Sequence, residues 1–339
     1  MRAWLLERPA EVALSGQTRG PLVLRDVQTP QPGPGEVRLR VDACGVCHTD
    51  LHTAEGDLDL PRLPIIPGHQ VVGTVDAVGE GVTDVSAGMR VGAYWLRKAC
   101  GVCPACLRGE ENLCEQAEFN GLHRHGGYAE WMTVPAAYTV PIPDRMESHA
   151  AAPLLCAGVI GYRSLRLADF QPGRRVALFG FGASAHLVLQ LALRQEAEVF
   201  VFTRGASHRR LALELGARWA GMPGDDAPSL ADSAVTFAPA GSVVPQALRA
   251  VRPGGTVAIN AVHMTDIPAM PYTLLYGERT LRSVANLTAQ DAREFIALAD
   301  RLDIRAEFTT YPFATANEAL RDMKASQLDG AAVLDVRHD

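Results

Sequence analysis

VALFGFGASAHLVLQLAL, residues 176–193, carries no charged side chain over its whole length, and its reading decides how the rest of the chain folds. By hydropathy alone it approaches a bilayer-spanning helix. The glycines argue otherwise, because a strand that enters a tight turn and leaves as a buried helix has the same hydropathy. Gly180, Gly182 and Ala185 form a G-x-G-x-x-A pattern directly after the strand-like RRVALF and directly before an apolar helix. Glycine in the first two places lets the backbone turn sharply and approach a pyrophosphate, whose charge then sits at the helix N-terminus. G-x-G alone is a weak signal that an ordinary tight turn also produces. Here strand, turn and helix each fall where a dinucleotide-binding turn requires them.

Around this stretch the texture alternates. EVFVFTR, SAVTFAP and GGTVAINAV read as short apolar strands, and HLVLQLALRQE and HRRLALELGA as helices between them. Such alternation predicts a doubly wound α/β domain with a parallel sheet and right-handed crossovers. Upstream of about residue 150 the pattern is different. GEVRLRVDACGV, HQVVGTVDAVG and MRVGAYWL are Val-rich and alternate, with Gly and Pro between them, which predicts a mostly β domain. From about Ala292 the chain returns to a helix (AREFIALADRL), a strand and a last helix (ATANEALRDMKASQ) before AAVLDV.

The 339 residues, 47% of them hydrophobic, exceed one ordinary core and fit about two domains. A formal charge of −6 with no long basic block argues against a nucleic-acid surface. The opening MRAWLLERPAEVAL is interrupted by charges where an export signal needs an apolar run, so a cytoplasmic protein without a membrane anchor is expected. Seven cysteines then belong to a reducing compartment, where thiols bind metal or stay free. Four of them, Cys100, Cys103, Cys106 and Cys114, stand in C-x2-C-x2-C-x7-C. Thiolates crowded this closely repel unless a cation neutralises them, and tetrahedral Zn2+ does so at about 2.3 Å per sulfur. The alternative is a disulfide pair, which overlapping C-x-x-C spacings serve poorly. A zinc ion with four protein ligands is structural, and chemistry must be sought elsewhere.

The strand after the glycine turn ends at Thr203 and Arg204, with Ser207 and Arg209 close behind, where an unphosphorylated ribose would call for an acid. With no carboxylate to repel a 2′-phosphate and two guanidiniums to meet it, the coenzyme is NAD(H) or NADP(H), and the reading leans to NADP. A solvated helix start is the other account of these arginines.

Cys47 in CGVCHTDLH, His69 in PGHQ and Cys156 in PLLCAG are unremarkable singly. Together GVCHTDLH, a Gly-His after IIP, the four-cysteine lobe, LLCAG and the glycine turn resemble the zinc-containing medium-chain alcohol dehydrogenases, nearly from end to end. The resemblance implies a GroES-like, β-rich catalytic domain over residues 1–155 with its structural zinc lobe at 96–115. It implies a Rossmann NAD(P) domain over 156–291 and a C-terminal segment, 292–339, completing the first. A second, catalytic zinc is implied at Cys47, His69 and Cys156, whose two thiolates and one neutral imidazole balance the ion and leave a fourth position for substrate. Cys44 is then a packing residue. Asp50 is implied to orient the ligand histidine, Thr49 to relay the alcohol proton by way of the coenzyme ribose to His52, and His48 to lie against the pyrophosphate. The activity implied is reversible hydride transfer between an alcohol or aldehyde and NAD(P) in a homodimer or homotetramer, built partly on the strand near GTVAINAV.

The sequence departs from the family pattern at three positions: Gln70 replaces the glutamate after the zinc histidine, Ile160 a threonine behind the nicotinamide, and Leu287 a late arginine on the pyrophosphate. By the same resemblance Trp95 walls the alcohol pocket, and Ala54 and Leu58 stand where ethanol-specific relatives carry bulky aromatics. Removing that volume predicts medium-chain or aromatic primary alcohols as substrates. Two rival readings are a zinc-independent reductase of the same fold, which would lack the Cys47, His69 and Cys156 set, and a non-catalytic zinc- and nucleotide-binding protein.

Overall fold

The computed structural model describes residues 1–14, 20–328 and 330–337. The chain divides into two compact units: residues 1–156, 286–300 and 305–339 form the first, and residues 157–285 with 301–304 the second.

The first unit is built on Glu36–Val46, an eleven-residue strand in which buried and more open positions alternate along most of its length. Period-two burial of Val37, Leu39 and Val41 puts one face into the core, and three other strands pair along it. The sheet runs in the order Phe308–Pro312, Ala331–Asp335, Glu36–Val46, Gln70–Val78, Arg90–Ala93, Thr139–Pro141, and Trp131–Pro135 pairs separately with Glu36–Val46. Because Leu334 lies opposite Cys44, the C-terminal strand is an integral part of this unit. Cys44 itself is fully covered within the hydrophobic cluster, where burial pushes its thiol well above the ordinary range. A small two-stranded ribbon, Leu96–Lys98 with Glu118–Phe119, carries the four-cysteine loop between its strands.

The second unit is a six-stranded sheet ordered Trp219–Gly221, Glu198–Phe202, Arg175–Phe179, Ala231–Thr236, Val251–Ile259, Thr280–Ser283, with every pairing parallel. In chain order this is 3-2-1-4-5-6, the doubly wound dinucleotide-binding arrangement. Phe179 and Phe202 are register neighbours whose rings stack at 4.2 Å, a pair worth about 0.5–1.5 kcal/mol beyond area burial. The GTVAINAV strand is flanked on both sides, by Ala231–Thr236 and by Thr280–Ser283. Its backbone donors and acceptors are therefore already paired within the chain, and the sheet edge next to it is Thr280–Ser283. The outer strand, Thr280–Ser283, is four residues long and was not legible as a strand in the sequence. No helix of the described residues is long and apolar enough to cross a membrane.

Candidate active site and metal centres

Cys47 ends the long central strand's excursion and starts the helix His48–Glu55 as its N-cap. Its Sγ accepts the Thr49 backbone N–H at 3.3 Å, while its own N–H donates to Asp50 Oδ2 at 3.0 Å, so the two side chains form a reciprocal capping box. Gly56 closes the helix with φ +85°.

Asp50 does more than cap. Its Oδ1 accepts Gly68 N–H at 3.0 Å and faces His69 Nδ1 at 3.2 Å, and the carboxylate is 2% exposed. One carboxylate thereby fixes the helix start, the loop before His69 and the imidazole. Gly68 is held at φ +95°, and a Cβ there would lie 2.4 Å from the Tyr128 ring and 2.8 Å from Cys44 Sγ, so only glycine delivers His69 to this position. With Nδ1 donating to Asp50, His69 presents Nε2 to Cys47 Sγ at 3.3 Å. The ligand atoms of Cys47, His69 and Cys156 all lie within 4.8 Å of one another.

The fit of a zinc ion follows from these separations. Tetrahedral arms of about 2.3 Å to sulfur and about 2.0 Å to nitrogen set sulfur and nitrogen about 3.5 Å apart, close to the Cys47–His69 value. The electrostatics agree. A hydrogen bond from the Cys156 thiol, then the charged His69, hold Cys47 well below the usual thiol range against burial, and Cys156 is pushed well above it by the same shared proton and by burial. Burial works to lower His69, but the Cys47 thiolate and the Asp50 carboxylate outweigh it and keep it well above 6.5.

The four-cysteine loop makes a second such cluster, again with all ligand atoms within 4.8 Å. Cys100 Sγ accepts the N–H of Cys103 at 3.3 Å, and Cys114 Sγ accepts that of Cys100 at 3.4 Å. The Cys100 and Cys106 sulfurs are 3.9 Å apart, far beyond a disulfide bond of about 2.05 Å and near the roughly 3.8 Å edge of a ZnS4 tetrahedron. Backbone donation from Val102 and Cys103 lowers Cys100 to about 6, whereas desolvation raises Cys106 to about 12. These are thiols arranged for a cation, and all seven cysteines of the chain are free.

Alcohol dehydrogenases carry this pair of clusters together with a glycine turn, and comparison with known proteins agrees. Residues 33–144 match the family described as "Alcohol dehydrogenase GroES-like domain", and residues 185–301 match "Zinc-binding dehydrogenase". The "Probable alcohol dehydrogenase AdhA" of Mycobacterium tuberculosis is 46% identical over 98% of this chain and 97% of its own. An alcohol dehydrogenase of Geobacillus stearothermophilus is 35% identical over 97% of this chain and its full length. The chain belongs to the zinc-containing medium-chain alcohol dehydrogenases. As a member it is an oxidoreductase. Its fold follows that of a Sorghum bicolor cinnamyl alcohol dehydrogenase, with TM-score 0.88, 25% identity and coverage of 99% of this chain and 97% of that one.

In this dehydrogenase Trp95 packs edge-on against the His69 ring, with centroids 4.8 Å apart, and stacks at 5.1 Å on Phe119. Phe119 escaped the sequence reading because the two-residue strand that carries it is too short to show a period. Leu58 is half-buried just beyond the helix. Ala54 is corrected: it is fully buried in the hydrophobic cluster, covered by the core rather than open to a pocket. His48 is exposed, and His52, in the helix's last turn, pairs through Nδ1 with Asp57 Oδ2 at 2.8 Å. Gln70 is 2% exposed, with its amide over Gly45, where a Cβ would lie 2.4 Å from Oε1. Leu287 is 1% exposed, and Ile160 is half-buried on the helix Ala157–Leu167.

In the second unit Gly180 has φ +94°, and a Cβ would lie 3.0 Å from the Ala238 nitrogen. Gly182 is the N-cap of the helix Ala183–Leu193, no side chain caps it, and a Cβ there would enter open space. Uncapped N–H groups beside a cradle that a side chain would fill fit a pyrophosphate. Ala185 is fully buried and packs the helix. Thr203 is 6% exposed. Of the two arginines weighed for a 2′-phosphate, Arg209 is already engaged, its Nη1 donating to the Thr203 and Arg204 carbonyls at 2.9 and 2.8 Å. Arg204 is exposed.

Proposed function

We propose that this chain is a zinc-dependent dehydrogenase of medium-chain or aromatic primary alcohols, running reversibly with NAD(P). The observation that carries the reading is the convergence of Cys47, His69 and Cys156, with Asp50 locking the imidazole behind them. Those three residues would hold Zn2+, and the Gly180–Gly182 turn the dinucleotide; when bound, the ion supplies Lewis acidity at the substrate oxygen and the nicotinamide accepts hydride.

The chain's own residues do the rest. Asp50 keeps the His69 proton on Nδ1, leaving Nε2 as the ligand atom. Thr49 and His52, three apart on one helix, share a face, so the Thr49 hydroxyl can accept the alcohol proton as it passes its own on towards His52, whose imidazole returns a proton to solvent. His52 Nδ1 is engaged with Asp57, which makes Nε2 the atom that exchanges. The Trp95 and Phe119 rings give a flat apolar wall. The sorghum protein, which shares the fold, is a cinnamyl alcohol dehydrogenase.

Turnover on hexanol and benzyl alcohol should exceed ethanol by at least about tenfold in kcat/KM, the scale of one or two methylene-sized contacts in an apolar pocket. Chelation should abolish all three. A preference for ethanol sinks the substrate reading, and turnover that survives chelation with zinc shown to be absent sinks the metal reading.

Arg204 is the coenzyme discriminator in this proposal, as Arg209 is partly spent on backbone carbonyls. Arg204→Ala should lower kcat/KM for NADP by about ten- to a hundredfold, the worth of one charge-assisted contact, and leave NAD unchanged. Equal losses with both coenzymes would refute it.

A further inference from the structure

A groove of about 790 Å3 lies wholly in the first unit, and none of the seven cysteines or His69 lines it. Four cationic side chains line it, Arg62, Arg97, Lys98 and Arg124, against two carboxylates, Glu36 and Glu118. Both carboxylates are already satisfied. Glu36 accepts Arg97 Nη2 at 2.5 Å through Oε1 and Gly33 N–H at 3.1 Å through Oε2. Glu118 takes Arg124 bidentately, at 2.7 and 3.0 Å. Arg97, 5% exposed, is further anchored on Asn120 Oδ1 at 3.1 Å, so this pair is part of the wall. Arg62 and Lys98 make no ion pair among the described residues, and the cationic side chains of the groove outnumber its carboxylates by two.

A second observation points the same way. His125 Nδ1 accepts the Ile66 backbone N–H at 3.1 Å, so the proton of the neutral ring is on Nε2. Nε2 faces Arg62 Nη2 at 3.5 Å. Both atoms are donors that cannot bond to each other, and at this separation one acceptor placed beside the pair can take a hydrogen bond from each. Partial desolvation, and then Arg62 and Arg97, hold His125 down at about 4, so the ring stays neutral near pH 7 and the local field is positive. Trp131 and Tyr138, both half-buried, add apolar surface to the same groove.

We propose that this groove is a second ligand site, for a small organic oxyanion whose charged end sits between Arg62, His125 and Lys98 and whose apolar body lies along Trp131 and Tyr138. Phosphate and carboxylate share the required chemistry. Neither Arg62 nor Lys98 belongs to the catalytic or coenzyme machinery, and both are exposed, so their removal leaves the fold alone.

The test uses zinc-loaded protein saturated with reduced coenzyme, which blocks the pyrophosphate site. Phenyl phosphate, benzoate and inorganic phosphate are titrated calorimetrically into wild type and into the Arg62→Ala/Lys98→Ala double variant. At least one of the two aryl anions should bind wild type with one-to-one stoichiometry, and which one binds names the headgroup. The double variant should lose at least about tenfold in that affinity, two charge-assisted contacts being removed, while alcohol turnover is unchanged. No saturable binding by either aryl anion, or equal affinity in the double variant, overturns the site. Inorganic phosphate binding as tightly as phenyl phosphate overturns the role given to the apolar body.

Discussion

Replacing Cys47 by serine should lower bound zinc from two ions per chain to one and reduce alcohol turnover by a factor on the order of 10^3 or more. A Lewis-acidic ion contributes several kcal/mol of transition-state stabilisation, and each 1.36 kcal/mol is about a factor of ten in rate. Serine rather than alanine isolates the metal effect. The Cys47 side chain also caps the helix His48–Glu55 by accepting Thr49 N–H, and serine is a preferred N-cap where alanine costs about 1 kcal/mol. Far-UV circular dichroism should therefore match wild type while metal analysis and turnover fall together. A variant that keeps both ions, or keeps turnover with only one, would remove Cys47 from the site and with it the proposed mechanism.

That the N-cap of a helix and a candidate metal ligand are the same atom shows what the sequence could and could not disclose. The glycine turn at 180–182 was legible because strand, turn and helix are contiguous, and their physics is local. The four-cysteine loop was legible because its ligands lie within fifteen residues, too close for any ordinary account. Cys47 and His69 are 22 residues apart and Cys156 is more distant still, so nothing local joins them. Only likeness to a known family brought those three together on the page. The triple duty of Asp50 is a product of tertiary structure: a cap acceptor at position N3 is readable, but its reach to Gly68 and His69 is set by the pairing of Gly45 with Gln70. Ala54 failed for the complementary reason, since the helix turns it towards the core and a sequence position says nothing about which face a loop alignment has chosen. Arg62 and His125 lie 63 residues apart and face each other only in the fold, so the oxyanion groove had no signature in the sequence.

The four-cysteine loop supports the second large expectation. Its apolar side chains face outward: Val102 is 76%, Leu107 75% and Leu113 51% exposed. A segment that buries so little cannot order itself by the hydrophobic effect. Polar contacts tie it to the rest of the unit, among them Glu111 Oε1 accepting Ala289 N–H at 2.8 Å at the start of the helix Ala289–Leu302, and the Tyr138 hydroxyl accepting Ala99 N–H at 3.0 Å. Metal ligation by the four thiols is the expected source of the remainder, and structural zinc contributes apparent free energies of about 10–16 kcal/mol in small domains. Cys103→Ser should accordingly lose one ion and open residues 100–114 to proteolysis. If even a quarter of that free energy reaches the whole fold, Tm falls by about 10 °C, taking about 2–4 °C per kcal/mol for a chain of this class. Turnover measured well below the lowered Tm should persist, because none of the four sulfurs belongs to the Cys47, His69 and Cys156 cluster. Differential scanning calorimetry with metal analysis decides it. A Cys103→Ser protein with both ions and wild-type Tm would mean the loop is held by something other than its thiolates, while one that keeps its Tm but loses turnover would move the chemistry to the wrong cluster.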